Sequence, residues 1–157
     1  MIGYPTIEVQ VDHDFDRARR RAYARRVLNR LRRSGEPDRL RSFDDAKASL
    51  AGWRQVYRGL RLVEVDKIVG SVGRHREFDS SFLPRRASSE TRWKRIDWAF
   101  HRAENLPPVS LYEVGGLYYV RDGNHRVSVA RFHGVREIEA EVVQVSGPQR
   151  PVHGAAA

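Results

Sequence analysis

Five consecutive residues carry the clearest chemistry in this sequence: Asp122, Gly123, Asn124, His125 and Arg126. A glycine lets the backbone turn sharply and approach a ligand closely. The free amide groups at the start of a following helix, and the dipole of that helix, favour an anion. Arg126 adds a permanent charge that suits phosphate, and His125 adds a group that can transfer a proton near neutral pH. The run predicts an anion site, and the alternative is a plain turn in which Asn124 and His125 only cap the helix.

Short elements are predicted around this run. Val109–Val114 and residues 117–121 form the two strands of a hairpin that turns at Gly115-Gly116. Residues 124–132 predict a short helix, and residues 138–145 alternate as a strand does. The run of five therefore lies where a strand ends and a helix begins, which is the position that an anion site needs.

The preceding segment supplies a second loop. Residues 60–68 alternate and predict a strand, and residues 70–80 form a loop rich in Gly, Arg and Ser. A helix is expected to begin near Ser88 or Ser89.

Two helices are expected nearer the N-terminus. Residues 4–11 predict a short strand or an ordered arm, and residues 15–33 predict a long Arg-rich helix. The apolar face of that helix is expected to consist of Ala24, Val27, Leu28 and Leu31. A second helix begins at Ser42, where Asp45 gives an approximate capping box. It is expected to pack on the body through a stripe of Ala46, Leu50, Trp53 and Tyr57.

These elements divide the 157 residues into three parts. Residues 1–59 are predicted to be a basic helical extension, residues 60–146 the main domain, and residues 147–157 a flexible tail. No apolar run approaches the ~20 residues that span a bilayer, and no secretory signal is recognised. The chain has no cysteine, which excludes disulfide scaffolds and cysteine nucleophiles. A cytoplasmic protein of bacterial type is the expectation.

The net charge of +9 favours a polyanionic ligand or partner. Arginines outnumber lysines 26 to 3, which either reflects affinity for phosphate or a GC-rich genome. Four arginines of the long helix are the candidates for nucleic-acid contact: Arg19, Arg20, Arg25 and Arg26. The same helix face could instead be solvated or bind an acidic partner.

The remaining histidines are scattered along the chain: His13, His75, His101, His133 and His153. No pair of them shows the spacing of metal ligands with carboxylates, so no metal site within the protein is expected.

Residues 106–143 (LPPVSLYEVGGLYYVRDGNHRVSVARFHGVREIEAEVV) resemble the ParB/sulfiredoxin superfamily. That family shows a proline-led strand, a hairpin, an Asp-Gly-x-His-Arg or Gly-Glu-Arg-Arg type motif that opens a helix, then a glycine and a strand. Residues 62–79 (LVEVDKIVGSVGRHREFD) look like the first box of the family, and the resemblance covers about residues 60–145.

The resemblance implies a small α/β fold with a mixed sheet that binds a nucleoside triphosphate, ATP or CTP with Mg²⁺. The residues that would surround the phosphates are Gly123, Asn124, His125 and Arg126 on one side and Ser71, Gly73 and Arg74 on the other. Sulfiredoxins carry their catalytic Cys where this chain has Asn124, so sulfiredoxin chemistry is excluded. Free serine kinases of the superfamily use an acidic base, for which Glu77 or Asp79 would be the candidates.

The sequence leaves three classes of function open. In the first, the chain is a nucleotide-binding domain that acts as an NTP-dependent switch or transfers or hydrolyses a phosphoryl group, with His125 as the catalytic proton carrier. In the second, it is a non-enzymatic DNA-binding or DNA-associated module that uses the Arg-rich helix. A pure interaction module is a third alternative, and the sequence allows a dimer without requiring one.

Overall fold

The computed structural model describes residue 3, residues 5–32, residue 35 and residues 37–151. Within these residues the fold is α/β, as predicted, with one mixed sheet of six strands and four helices. The helices are α1 (Ile7–Leu31), α2 (Phe43–Ala48), α3 (Glu90–His101) and α4 (Asn124–Phe132). The strands are β1 (Arg41–Ser42), β2 (Arg54–Glu64), β3 (Ile68–Ser71), β4 (Val109–Val114), β5 (Leu117–Asp122) and β6 (Glu137–Ser146).

The strand order is β1-β3-β5-β4-β6-β2. The pairs β1–β3, β3–β5 and β4–β6 are parallel, whereas β4–β5 and β6–β2 are antiparallel. Because β3 and β5 are parallel neighbours, their C-terminal ends lie side by side at one end of the sheet. The loop after β3 and the turn after β5 lie together there.

Alternate residues of the central strands face opposite sides of the sheet. Leu111 and Val120 join the core beneath α4, while Tyr112 and Tyr119 pack with Phe43 of α2 on the other face. The hairpin, α4 and the final strand are confirmed close to their predicted bounds, because glycine turns and local periodicity specify them.

The helices α1 and α3 form an outer layer over α4. The Trp93 indole is fully buried and donates to Ser128 Oγ at 2.9 Å, and Ser128 donates to the Phe82 carbonyl. Phe15 of α1 packs on the Trp93 ring with centroids 5.6 Å apart. These contacts fix α3 beside α4.

The prediction for α1 is wrong in its start and in its buried face. The helix begins at Ile7, after the N-cap Thr6, so residues 7–11 are helical and not a strand or arm. The buried face consists of Val11, Asp14, Phe15, Ala18 and Ala22, whereas Val27, Leu28 and Leu31 are exposed. Val11, Phe15, Ala18 and Ala22 do follow helical spacing, but the assignment of residues 4–11 to a strand or arm leaves Val11 outside the predicted helix. Arg33, the predicted end of the helix, lies outside the described residues.

The second helix is shorter than predicted. Ser42 is its N-cap, as expected, and accepts from the Asp45 amide at 3.4 Å, but the helix ends at Ala48. Residues 54–57 belong to β2, which pairs with β6 along its length, and Trp53 and Tyr57 are largely exposed. The sheet hydrogen bonds available from β6 override the helical spacing of the stripe. No helix in the described part of the chain combines the length and apolar character needed to cross a membrane.

Candidate anion-binding site

Gly123 makes the turn from β5 into α4 and could not be replaced without strain. Its φ is +100°, and a Cβ there would lie 2.7 Å from Val109 Cγ1 and 3.1 Å from Arg126 Cζ. Gly123 is the N-cap of α4, and the first helical hydrogen bond runs from the Val127 amide to the Gly123 carbonyl. The amides of Asn124, His125 and Arg126 therefore have no partner within the helix and are available to an anion.

Ser71 and Asn124 link the end of β3 to the start of α4. The buried Ser71 hydroxyl, at the end of β3, donates to Asn124 Oδ1 at 2.7 Å. This bond takes up the carbonyl side of the Asn124 side chain and leaves its amide nitrogen as the donor. Ser71 thus positions the Asn124 side chain, whereas the resemblance implies that Ser71 itself contacts the phosphates.

Arg126 braces the turn on which it lies. One terminal nitrogen donates to the carbonyls of Pro107 and, at 2.9 Å, Pro108, while the other donates to Asp122 Oδ2 at 2.7 Å. Only 13% of the side chain is exposed. Most of its donors are therefore occupied by the protein, which makes Arg126 a positioning residue for the β5–α4 turn.

His125 is neutral in this environment. Burial lowers its pKa from 6.5 to about 4, with Arg74, Arg92 and Arg95 adding repulsion and Glu77 opposing it. Its ring lies edge-on to Phe78, and Nε2 is buried without a hydrogen-bond partner among the described residues. An anion in the cavity would raise this pKa by offsetting the arginine charges.

A cavity of about 380 Å³ opens over the helix start. It is lined by Val72, Arg74, Arg92, Arg95, Ile96, Arg121, Asp122, Gly123, Asn124, His125 and Arg126. Arg92 and Arg95 form no salt bridge with any described residue, so their charge is available to a ligand. The Arg121 guanidinium instead lies over the Tyr112 ring, 5.7 Å from its centroid, on the α2 face of the sheet. Sequence reasoning missed Arg92 and Arg95, although they are three residues apart on α3 and so share a helix side.

The loop after β3 contributes less than expected. Arg74 lines the cavity, but its guanidinium lies 3.3 Å from a Glu77 oxygen. Gly73 turns the chain with φ +77° and does not line the cavity. Asp79 is buried, and its Oδ1 accepts the amides of Ser81 and Leu83, so it holds its own loop.

The four arginines of α1 that are the candidates for nucleic-acid contact do not form one surface. Arg26 lines a second cavity of about 410 Å³, whose other lining residues are Arg39, Arg76, Arg85 and Arg86. Arg19 lies with Arg26 and Arg85 around a smaller depression. Arg25 pairs with Asp79 and donates to Ser80 Oγ, whereas Arg20 is exposed and lines neither cavity.

No family model and no curated protein matches this chain. Among solved structures, sulfiredoxin from Arabidopsis thaliana is 20% identical, over 53% of this chain and 82% of that one, with a TM-score of 0.40. At such similarity the function of the chain has to be inferred from its own residues.

Proposed function

We propose that the cavity at the β5–α4 turn binds the phosphate groups of a nucleotide, ATP or CTP. The observation that carries this proposal is the convergence of Arg92 and Arg95 of α3, which have no carboxylate partner among the described residues, on the free amides at the start of α4. Guanidinium groups and helix N-termini are both suited to phosphate, and here independent elements aim them at one space.

The donor set fits a phosphate more clearly than it fits a base. Among the described residues, no Phe, Tyr or Trp ring lines the cavity, and its apolar surface comes from Val72 and Ile96. Asp122 is the sole carboxylate of the described lining, and it already accepts from Arg126. Mg²⁺ would therefore arrive with the nucleotide and take most of its ligands from phosphates and water, which is its usual preference.

Phosphoryl transfer is the catalytic extension of this proposal, with His125 as the residue that handles the proton. Its low pKa makes it a weak base in the free protein, and a bound phosphate would shift it towards neutrality. In His125→Asn we expect nucleotide affinity to stay within about tenfold, the scale of one neutral hydrogen bond. Any turnover should fall by about 10²–10⁴-fold, which phosphate-release measurements on the same samples would detect.

The test of binding compares two variants of equal charge. Arg92→Gln with Arg95→Gln removes two cavity charges, and Arg54→Gln with Arg136→Gln removes two exposed charges elsewhere. We expect calorimetry with Mg-ATP and Mg-CTP to show at least tenfold weaker binding in the first, since a hydrogen bond to a charged group contributes about 1.5–3 kcal/mol. Equal losses in both variants would show that net charge and not the cavity attracts the nucleotide.

A DNA-associated role is the second candidate, and the cavity lined by arginines between α1 and the loops carries it. Replacing Arg26 and Arg86 by Gln should lower the log–log salt slope of duplex binding by about 0.9 for each phosphate that the protein no longer neutralises. Replacing the exposed Arg54 and Arg136 is the matched control and should leave the slope unchanged. If both double variants have the same salt slope, the arginines of α1 belong to a solvated surface and do not contact DNA.

A further inference from the structure

A cluster of two aspartates and two histidines, none of which lines the anion cavity, joins three helices. Asp14 comes from α1, Asp97 and His101 from α3, and His133 is the C-cap of α4. We propose that Asp14, Asp97, His101 and His133 bind a transition-metal dication of the zinc class, which fastens α1 to the body of the fold.

The spacing of the donor atoms suits one small ion. One ligand atom from each residue lies within 4.8 Å of the others. His101 Nε2 is 2.8 Å from Asp14 Oδ2 and 3.6 Å from Asp97 Oδ2, and His133 Nε2 is 2.6 Å from Asp97 Oδ1 and 3.9 Å from Asp14 Oδ2. Ligands about 2.0–2.1 Å from a tetrahedral ion are spaced by roughly 3.3 Å, within the range of these four distances.

Burial gives a second, independent indication. Asp97 is fully buried and Asp14 is 2% exposed, although charged carboxylates are rarely buried without a partner. Asp97 Oδ2 is enclosed without a hydrogen-bond partner among the described residues. A dication would give that oxygen a partner and would balance both carboxylate charges while the imidazoles bind in their neutral form.

The donor types select the class of ion. Imidazole nitrogens together with carboxylate oxygens suit zinc and its neighbours, whereas Mg²⁺ and Ca²⁺ prefer oxygen alone. The two histidine side chains remain 23% and 16% exposed, which gives an ion a route in from solvent. The Phe100 ring stacks on His133 with centroids 4.0 Å apart and covers one side of the cluster.

The alternative is a pair of Asp–His ion pairs with no metal. In that case each Nε2 carries a proton directed at a carboxylate, and added metal has to displace both protons. The two states differ in what they bind, so metal binding by the wild-type chain separates them directly.

The experiment uses the untagged full chain after treatment with a chelator. We expect one Zn²⁺ per chain, a rise in the melting temperature that Mg²⁺ does not give, and, with Co²⁺, the intense visible bands of a four-coordinate site. Zinc binding no tighter than magnesium binding, or only the weak bands of six-coordinate Co²⁺, would overturn the proposal.

Matched variants then locate the ion. His101→Gln with His133→Gln should weaken Zn²⁺ binding at least 100-fold, while His13→Gln with His75→Gln should change it less than twofold. Equal losses in the two double variants would place the ion elsewhere and refute the site. If the first variant does not fold, Asp14→Asn takes its place, and unchanged zinc affinity and cobalt bands in that variant would refute the site equally.

Discussion

Arg126→Ala should destabilise the fold more than it weakens ligand binding. The guanidinium donates to the carbonyls of Pro107 and Pro108 and to Asp122, so its removal leaves the proline loop without its tie to the β5–α4 turn. The sequence alone suggests an arginine whose main partner is a phosphate. The structure gives it protein partners instead, and stability becomes the sensitive readout.

The size of the effect follows from the exposure of each partner. Asp122 is 77% exposed, so its ion pair contributes at most about 1 kcal/mol. Hydrogen bonds from a charged donor to a carbonyl contribute about 1.5–3 kcal/mol each. In the variant, water can bind the freed carbonyls and offset part of that loss. We expect a net loss of roughly 2–4 kcal/mol, or about 4–16 °C in melting temperature for a chain of this size.

Arg126→Ala and Arg92→Ala should differ in opposite ways when their stability is measured by urea unfolding and their nucleotide affinity by calorimetry. Arg92 is exposed and forms no salt bridge with a described residue, so its removal should change stability by less than about 0.5 kcal/mol while weakening the ligand. Arg126→Lys should recover little, because an ammonium cannot reproduce the planar fork. An Arg126→Ala protein as stable as wild type would refute the bracing role.

Two further predictions concern the same turn. Gly123→Ala should lose about 2–4 kcal/mol in urea unfolding, from a positive φ that costs about 1–2 kcal/mol and a clash with Val109. Val109 is buried, so Val109→Ala is itself destabilising, but the double variant should lose less stability than the two single variants summed, because the clash is then absent. His125, with a pKa of about 4 when folded and 6.5 as its ordinary value, stabilises the fold above pH 6.5, and this contribution is lost as the pH falls towards 4. After allowance for its partial exposure we expect about 1–2 kcal/mol, and His125→Asn should flatten that part of the stability–pH curve.

Local sequence determined the hairpin, α4 and the turn between them. Gly115-Gly116 and Gly123 adopt positive φ values that other residues rarely adopt, so these turns could be located from residue type alone. The amide donors at the start of α4 follow from the same local signals, since free amides belong to any helix N-terminus. The α/β class follows from alternating strands and helices in order.

Tertiary structure decided what surrounds that turn. Arg92 and Arg95 reach the cavity at the β5–α4 turn only because α3 packs against α4, and no local pattern reports that approach. The long pairing of β2 with β6 likewise overrode the helical spacing of Trp53 and Tyr57. Asp14 and His133 meet across the fold for the same reason, because contacts between distant residues depend on packing that a single chain segment does not encode.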